Sequence, residues 1–275
     1  IRVDVHWNIS RILSSRDGRA PWNAIGVNGQ LPIPPVHVDQ GDLLALTVFN
    51  ALNESTSLHF YGIHQNGTSY LDGVGMVTQC GIPPGESFTY LVDTKHQHGT
   101  FWIKGHTNFQ YADGLSAALI IHEVNKAYDD EILMTFEDWS ADEFVGRMKL
   151  FQQLLTKQLD KDYQDGLING INANLTQPIQ LVPKKRYRLR LVHMGKAYWF
   201  KFRMQHHKLA IIEADGTDTQ PLEVDGVDLG PGQRYSAIVT AQPTATFNYI
   251  YNVTMYANFI VPKPGMNPRT YEGLV

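Results

Sequence analysis

Short apolar runs rich in Val, Ile, Thr, Tyr and Phe alternate with clusters of Gly, Pro, Asn and Asp along nearly the whole chain. Such runs occupy Leu43 to Phe49, Ser87 to Val92, Thr100 to Ile103, Leu115 to His122, Arg186 to Val192 and Tyr235 to Thr240. The punctuation between runs is dense: Val27-Asn28-Gly29-Gln30, then Pro32, Pro34 and Pro35, then Pro83-Pro84-Gly85 and Gly230-Pro231-Gly232-Gln233. Strands half covered by a core alternate apolar and polar positions, and Gly, Pro and Asn supply the backbone angles that turn them back. The pattern predicts an all-β chain of antiparallel sandwiches and argues against βαβ units.

One stretch departs from it. Ser140 to Asp160 carries Phe144, Met148, Phe151, Leu154 and Leu155 in a helical rhythm, with Ser140 as cap and Glu143 three residues on. The expected organisation is a first domain over 1–123, a connector with a helix over 124–164, and a second domain over 165–275. The halves echo each other: Pro84-Gly85-Glu86-Ser87-Phe88 is mirrored by Pro231-Gly232-Gln233-Arg234-Tyr235. Two copies of one sandwich account for this better than one large domain, and 275 residues are more than one sandwich needs.

Composition narrows the function classes. Hydrophobic residues at 43% and charged residues at 18% support buried cores and argue against disorder. A net charge of −4 gives no footprint for nucleic acid or an anionic membrane, and no apolar run approaches the roughly 18 residues of a membrane span. Ile1-Arg2-Val3-Asp4 does not read as a signal peptide, so any such segment is expected to have been removed. Five Asn-x-Ser/Thr triplets, at Asn8, Asn53, Asn66, Asn174 and Asn252, favour a secreted, glycosylated protein with each asparagine on a surface turn. Cys80 is the sole cysteine. Three readings stay open for it: a free thiol, a partner cysteine in another chain, or a small buried hydrophobe.

Metal chemistry enters through histidine spacing. Side chains two apart on a strand share a face, so His-x-His aims two imidazoles at neighbouring metal ions. Ser57-Leu58-His59-Phe60-Tyr61-Gly62 and Gly99-Thr100-Phe101-Trp102-Ile103-Lys104-Gly105-His106 resemble the two copper-ligand motifs in the first domain of fungal multicopper oxidases. The frame around them matches too: Asp72-Gly73, Val77 to Gly85, Gln110 to Leu115, Leu167 to Gly170 and Ile212 to Gly216. The resemblance spans nearly all of the chain and is strongest to the laccase and iron-oxidising branch. It implies two cupredoxin-like Greek-key β-sandwich domains with a short helical connector.

Carried over residue by residue, the resemblance makes His59 a type 2 copper ligand and His106 a type 3 ligand. The two remaining type 3 positions hold Tyr61 and Lys104, a poor ligand and, as ammonium, one with no lone pair. Copper is therefore expected to be bound incompletely or not at all. Asp72 matches the family's proton-relay acid and is a candidate partner for the Lys104 ammonium, whose volume would overlap that of a copper ion. The competing reading has Lys104 reaching to solvent. Glu213 matches a carboxylate that holds Fe(II) in the iron-oxidising branch, yet the acidic cluster that should accompany it is replaced by Met255-Tyr256-Ala257-Asn258.

Other histidines receive plainer readings. His96 and His98 read as solvated loop residues, His207 as a position that is not a copper ligand, and His64 as half-buried and hydrogen-bonded. The family's third-domain motifs, including the cysteine that builds the type 1 copper, do not occur here. Two expectations follow. Either a second chain carrying a third cupredoxin domain completes the assembly, with Cys80 as an interchain disulfide, or the two domains act alone without redox chemistry.

Overall fold

The computed structural model describes residues 1–140, 164–175, 178–243, 249–256 and 268–275. It divides into two compact units, one built on Ile1–Val124 and one on Asn125–Trp139 with the described part of Asp160–Val275.

The first unit carries β1 (Arg2–Ser14), β2 (Trp22–Val27), β3 (Val36–Asp39), β4 (Leu43–Asn50), β5 (Leu58–Tyr61), β6 (Ser87–Asp93), β7 (Gly99–Gly105) and β8 (Ser116–His122). Two four-stranded sheets result, ordered β2-β1-β4-β6 and β3-β8-β7-β5. Their inner faces meet in one core that includes Ile9, Leu46, Phe60, Tyr90, Phe101 and Leu119, all fully buried. That is the burial expected of a sandwich whose strands alternate inward and outward residues.

In the second unit the strands are β9 (Asp130–Ser140), β10 (Gln164–Ile168), β11 (Ile171–Asn172), β12 (Arg186–His193), β13 (Trp199–Met204), β14 (Leu209–Ala214), β15 (Thr217–Val224), β16 (Gly226–Leu229), β17 (Arg234–Thr240), β18 (Ile250–Tyr256) and β19 (Arg269–Leu274). A seven-stranded sheet, β11-β10-β9-β12-β17-β14-β15, packs on a four-stranded one, β16-β13-β18-β19. Phe136, Leu191, Phe200, Phe202, Leu209 and Val253 are fully buried between them.

Two features differ from the sequence reading. The strands are not uniformly antiparallel: β1 runs parallel to β4, β3 to β8, and β9 to β12. Parallel neighbours need a crossover rather than a hairpin; between β1 and β4 and between β3 and β8 it runs through strands of the facing sheet, whereas β10 and β11, between β9 and β12, stay in their own sheet. Secondly, Asp130–Ser140 within the expected connector is a strand, whose Met134 and Phe136 belong to the second core. The helical rhythm from Ser140 to Asp160 lies outside the described residues, apart from Ser140 at the end of β9. Among the described residues no helix is long and apolar enough to cross a membrane, which says nothing about membrane-spanning strands.

Candidate metal centre

β5 and β7 pair so that His59 lies opposite Lys104 and Tyr61 opposite Trp102. Because side chains alternate, these four groups leave the sheet on one face. His106 follows β7 directly, held by its N–H donating to the Ser57 carbonyl at 2.9 Å. The His59 and His106 rings meet edge to face with centroids 5.5 Å apart, and Tyr61 tilts against Trp102 at 4.9 Å. The sandwich therefore brings together the four positions that the motifs singled out.

Asp72 arrives from a loop pressed onto β5. Gly73 has φ +80, and a side chain there would place Cβ 1.6 Å from the Leu58 carbonyl oxygen, so only glycine allows this approach. His59 Nδ1 consequently sits 2.8 Å from the Asp72 carbonyl oxygen and 3.2 Å from its carboxylate. A carbonyl oxygen only accepts, so Nδ1 carries the proton and Nε2 keeps its lone pair. That is the orientation of a metal-ligating imidazole.

Lys104 does not pair with Asp72. Its ammonium lies 4.1 Å from the centre of the Tyr111 ring, 5.6 Å from Tyr61 and 5.8 Å from Trp102. It is half-buried and has no salt bridge among the described residues, so it neither escapes to solvent nor neutralises the carboxylate. The rings' negative faces take the role expected of Asp72. Burial pushes the Lys104 amine below its ordinary range. Tyr111 comes from the turn Gln110–Asp113, and no spacing in the sequence links it to Lys104.

His106 is held below the ordinary imidazole range by burial first, then by the Lys104 and His59 charges. A depressed folded-state pKa means the unfolded chain binds the proton more readily. Its contribution to stability is thus full above the unfolded value of 6.5 and is lost as pH falls through the folded value. The urea midpoint of the first unit is expected to drop on acidification below that point. In Lys104→Met the drop should be smaller, because one of the depressing charges is gone; equal drops would mean that Lys104 does not act on His106.

The donor set holds two imidazoles, His59 and His106, whose rings meet edge to face. It does not fit paired coppers, since a phenol and an ammonium stand where two further imidazoles are needed.

Other predicted residues resolve differently. Glu213 is fully buried: its carboxylate accepts from Arg188 Nη2 at 2.5 Å and from the Ser236 hydroxyl, and Arg190 Nη1 is 4.0 Å away. His64 is exposed rather than half-buried; only its backbone N–H is tied, donating to the Gln97 side chain at 2.8 Å. Cys80 is exposed, which removes the buried-hydrophobe reading. Of the acceptor asparagines, Asn53 and Asn66 lie exposed in loops, Asn174 is exposed in a short 3-10 turn, and Asn8 is exposed on β1. Asn252 instead sits half-buried within β18, so neither it nor Asn8 occupies a turn. Sequence reading also missed a second imidazole pair. His37 on β3 and His122 at the end of β8 stack at 5.3 Å, with Nδ1 and Nε2 3.1 Å apart, across a separation of 85 residues that no local motif reveals.

Two Greek-key sandwiches, with imidazole-bearing strands on one face of the first, define a protein of the multidomain cupredoxin class. Family models described as multicopper oxidase match residues 8–126 and 130–271, and the chain belongs to the multicopper oxidase family. It is 35% identical over 270 residues to an iron transport multicopper oxidase, fetC, of Epichloe festucae, covering 92% of this chain and 41% of that protein. Laccase-2 of Thanatephorus cucumeris is 35% identical over 259 residues, covering 87% of this chain and 43% of that one. The crystal structure of Fet3p, a multicopper oxidase that functions in iron import, superposes with a TM-score of 0.89 at 27% identity, covering all of this chain and 52% of that one. The chain thus spans about two-fifths of the length of these curated relatives.

Proposed function

We propose that this chain does not reduce oxygen by itself and serves as a secreted, non-catalytic half of a larger copper-oxidase-like assembly. The observation that carries the reading is the Lys104 ammonium, caged by Tyr111, Tyr61 and Trp102 beside His59 and His106. A fixed positive charge at this place disfavours a divalent ion, and replacing it with copper would require uncovering the cage. A second chain with a third cupredoxin domain is the proposed partner. Exposed Cys80 lies near Met76 and Val77 in sequence, and the latter two are 89% and 80% exposed, so the loop offers both a thiol and apolar surface to a partner.

Copper analysis of the native protein, together with oxygen uptake on a phenolic or ferrous donor, tests the proposal. Substoichiometric copper and no uptake are expected. Three coppers per assembly with donor-dependent uptake would establish the other reading, a laccase-type oxidase completed in trans. The locked tautomer of His59, with Nε2 available, is the observation that favours that alternative.

Export along the secretory route carries its own prediction. From a secretory host, Asn53→Gln and Asn66→Gln should each remove one glycan's mass, whereas Asn252→Gln should remove none. Asn252 sits half-buried within β18, a position where a bulky glycan is incompatible with the folded sheet. Intact-mass measurement before and after deglycosylation checks it, and an unglycosylated Asn53 and Asn66 would count against secretion.

A further inference from the structure

The first unit carries a second histidine pair away from the copper motifs. β3 and β8 run parallel, with His37 beside Ile120 and Asp39 beside His122. The alternate residues Val36, Val38, Leu119 and Ile121 belong to the core. His37 and His122 therefore leave the sheet on its outer face, as diagonal neighbours. β3 is the edge strand on the side away from β5. Lys104 lies opposite Ser116 at the start of β8, and His122 ends that strand, roughly 20 Å further along. The pair and the copper motifs thus sit at opposite edges of one sheet.

The two rings meet through His37 Nδ1 and His122 Nε2, 3.1 Å apart, in a solvent-exposed contact. His37 is exposed, His122 is half-buried, and His37 also lines a surface groove of about 260 Å³ with His6, Trp7 and Pro35. Zinc–imidazole bonds are about 2.0–2.1 Å long, so two imidazoles on one ion hold their nitrogens about 2.9–3.4 Å apart. The observed separation is of that size. Imidazoles hydrogen-bonded to each other share one proton, and one facing nitrogen already keeps its lone pair. With the proton moved to the other nitrogen of its ring, both facing nitrogens offer lone pairs. The rings are 10° from parallel, so an ion lies beside the line joining the nitrogens and one ring has to turn toward it. His37, exposed on an edge strand, has the room. Neither β3 nor β8 carries a lysine or arginine, in contrast to the Lys104 ammonium beside the copper motifs.

We propose that His37 and His122 chelate one exchangeable divalent ion of the zinc type, with water in the remaining positions. Neutral imidazoles suit such an ion, and two of them hold it without burying it. A zinc site at this edge neither requires nor excludes copper at His59 and His106, so its fate and that of the proposed function are decided separately.

Zn(II) titrated into the 275-residue chain and followed by the nitrogen shifts of the histidine rings reads the site directly. His37 Nδ1 and His122 Nε2 should shift together and saturate. Loss of a group that merely supports a metal ligand weakens binding about 10–100-fold. Loss of a ligand costs no less, so His37→Gln should weaken the affinity read at His122 by at least about tenfold. His59→Gln combined with His106→Gln should leave it unchanged. Shifts confined to other histidines would overturn the proposal, as would an affinity that survives His37→Gln or one that disappears with His59 and His106. Should the double variant fail to fold, the shifts of the unaltered chain and of His37→Gln, a change at an exposed side chain, still decide.

Discussion

Replacing Lys104 by histidine should tighten Cu(II) binding at the His59 and His106 pair by about a hundredfold, measured by chelator competition at neutral pH. Two effects add. The ammonium is removed: a divalent ion roughly 6 Å from a monovalent one, at an effective dielectric of about 20, is opposed by on the order of 5 kcal/mol. Solvent reaches this half-buried site and salt screens it, so about 1.4 kcal/mol of that opposition is a fair residue, or a tenfold effect. An imidazole is also gained at a position whose cross-strand partner is His59. Lys104→Met separates the two effects, since it removes the charge and adds no donor. It should recover part of the gain and also release the Tyr111, Tyr61 and Trp102 cage. Unchanged copper affinity in both variants would mean that the ammonium stands away from the metal position.

Glu213→Ala should destabilise the second unit by about 3–5 kcal/mol, the range seen when one partner of a buried ion pair is deleted. Arg188 and Arg190 are 2% and 1% exposed, and the alanine leaves the Arg188 guanidinium without its carboxylate. Arg190 keeps Glu131 at 2.8 Å, so the loss concentrates on Arg188 and on the Ser236 hydroxyl. Urea unfolding followed by hydrogen exchange of the β14 and β17 amides reports the change where the pair sits. The apolar double replacement Arg188→Met with Glu213→Leu should regain most of the stability, because the desolvation cost goes with the charges. A neutral Glu213→Ala that weakened Fe(II) binding would instead restore the iron-contact role suggested by family position.

The sequence by itself determined the class of fold. Alternating runs punctuated at Asn28-Gly29, Pro84-Gly85 and Pro231-Gly232 leave each strand one apolar face, and such faces are buried only by packing sheet on sheet. It also placed His59 and Tyr61 on a common face, because the two-residue period of a strand is local geometry. What those faces meet was beyond it. That Lys104 lies against Tyr111 depends on a turn folding over β7, and that Glu213 lies between Arg188 and Ser236 depends on how β14 joins β17 and β12. The parallel pairing of β9 with β12 and the stacking of His37 on His122 are likewise contacts between residues tens of positions apart. Alternation records which side of a strand is inward and carries no record of its neighbours, so charge pairing, burial of polar groups and cavity shape are settled only when the sheets close.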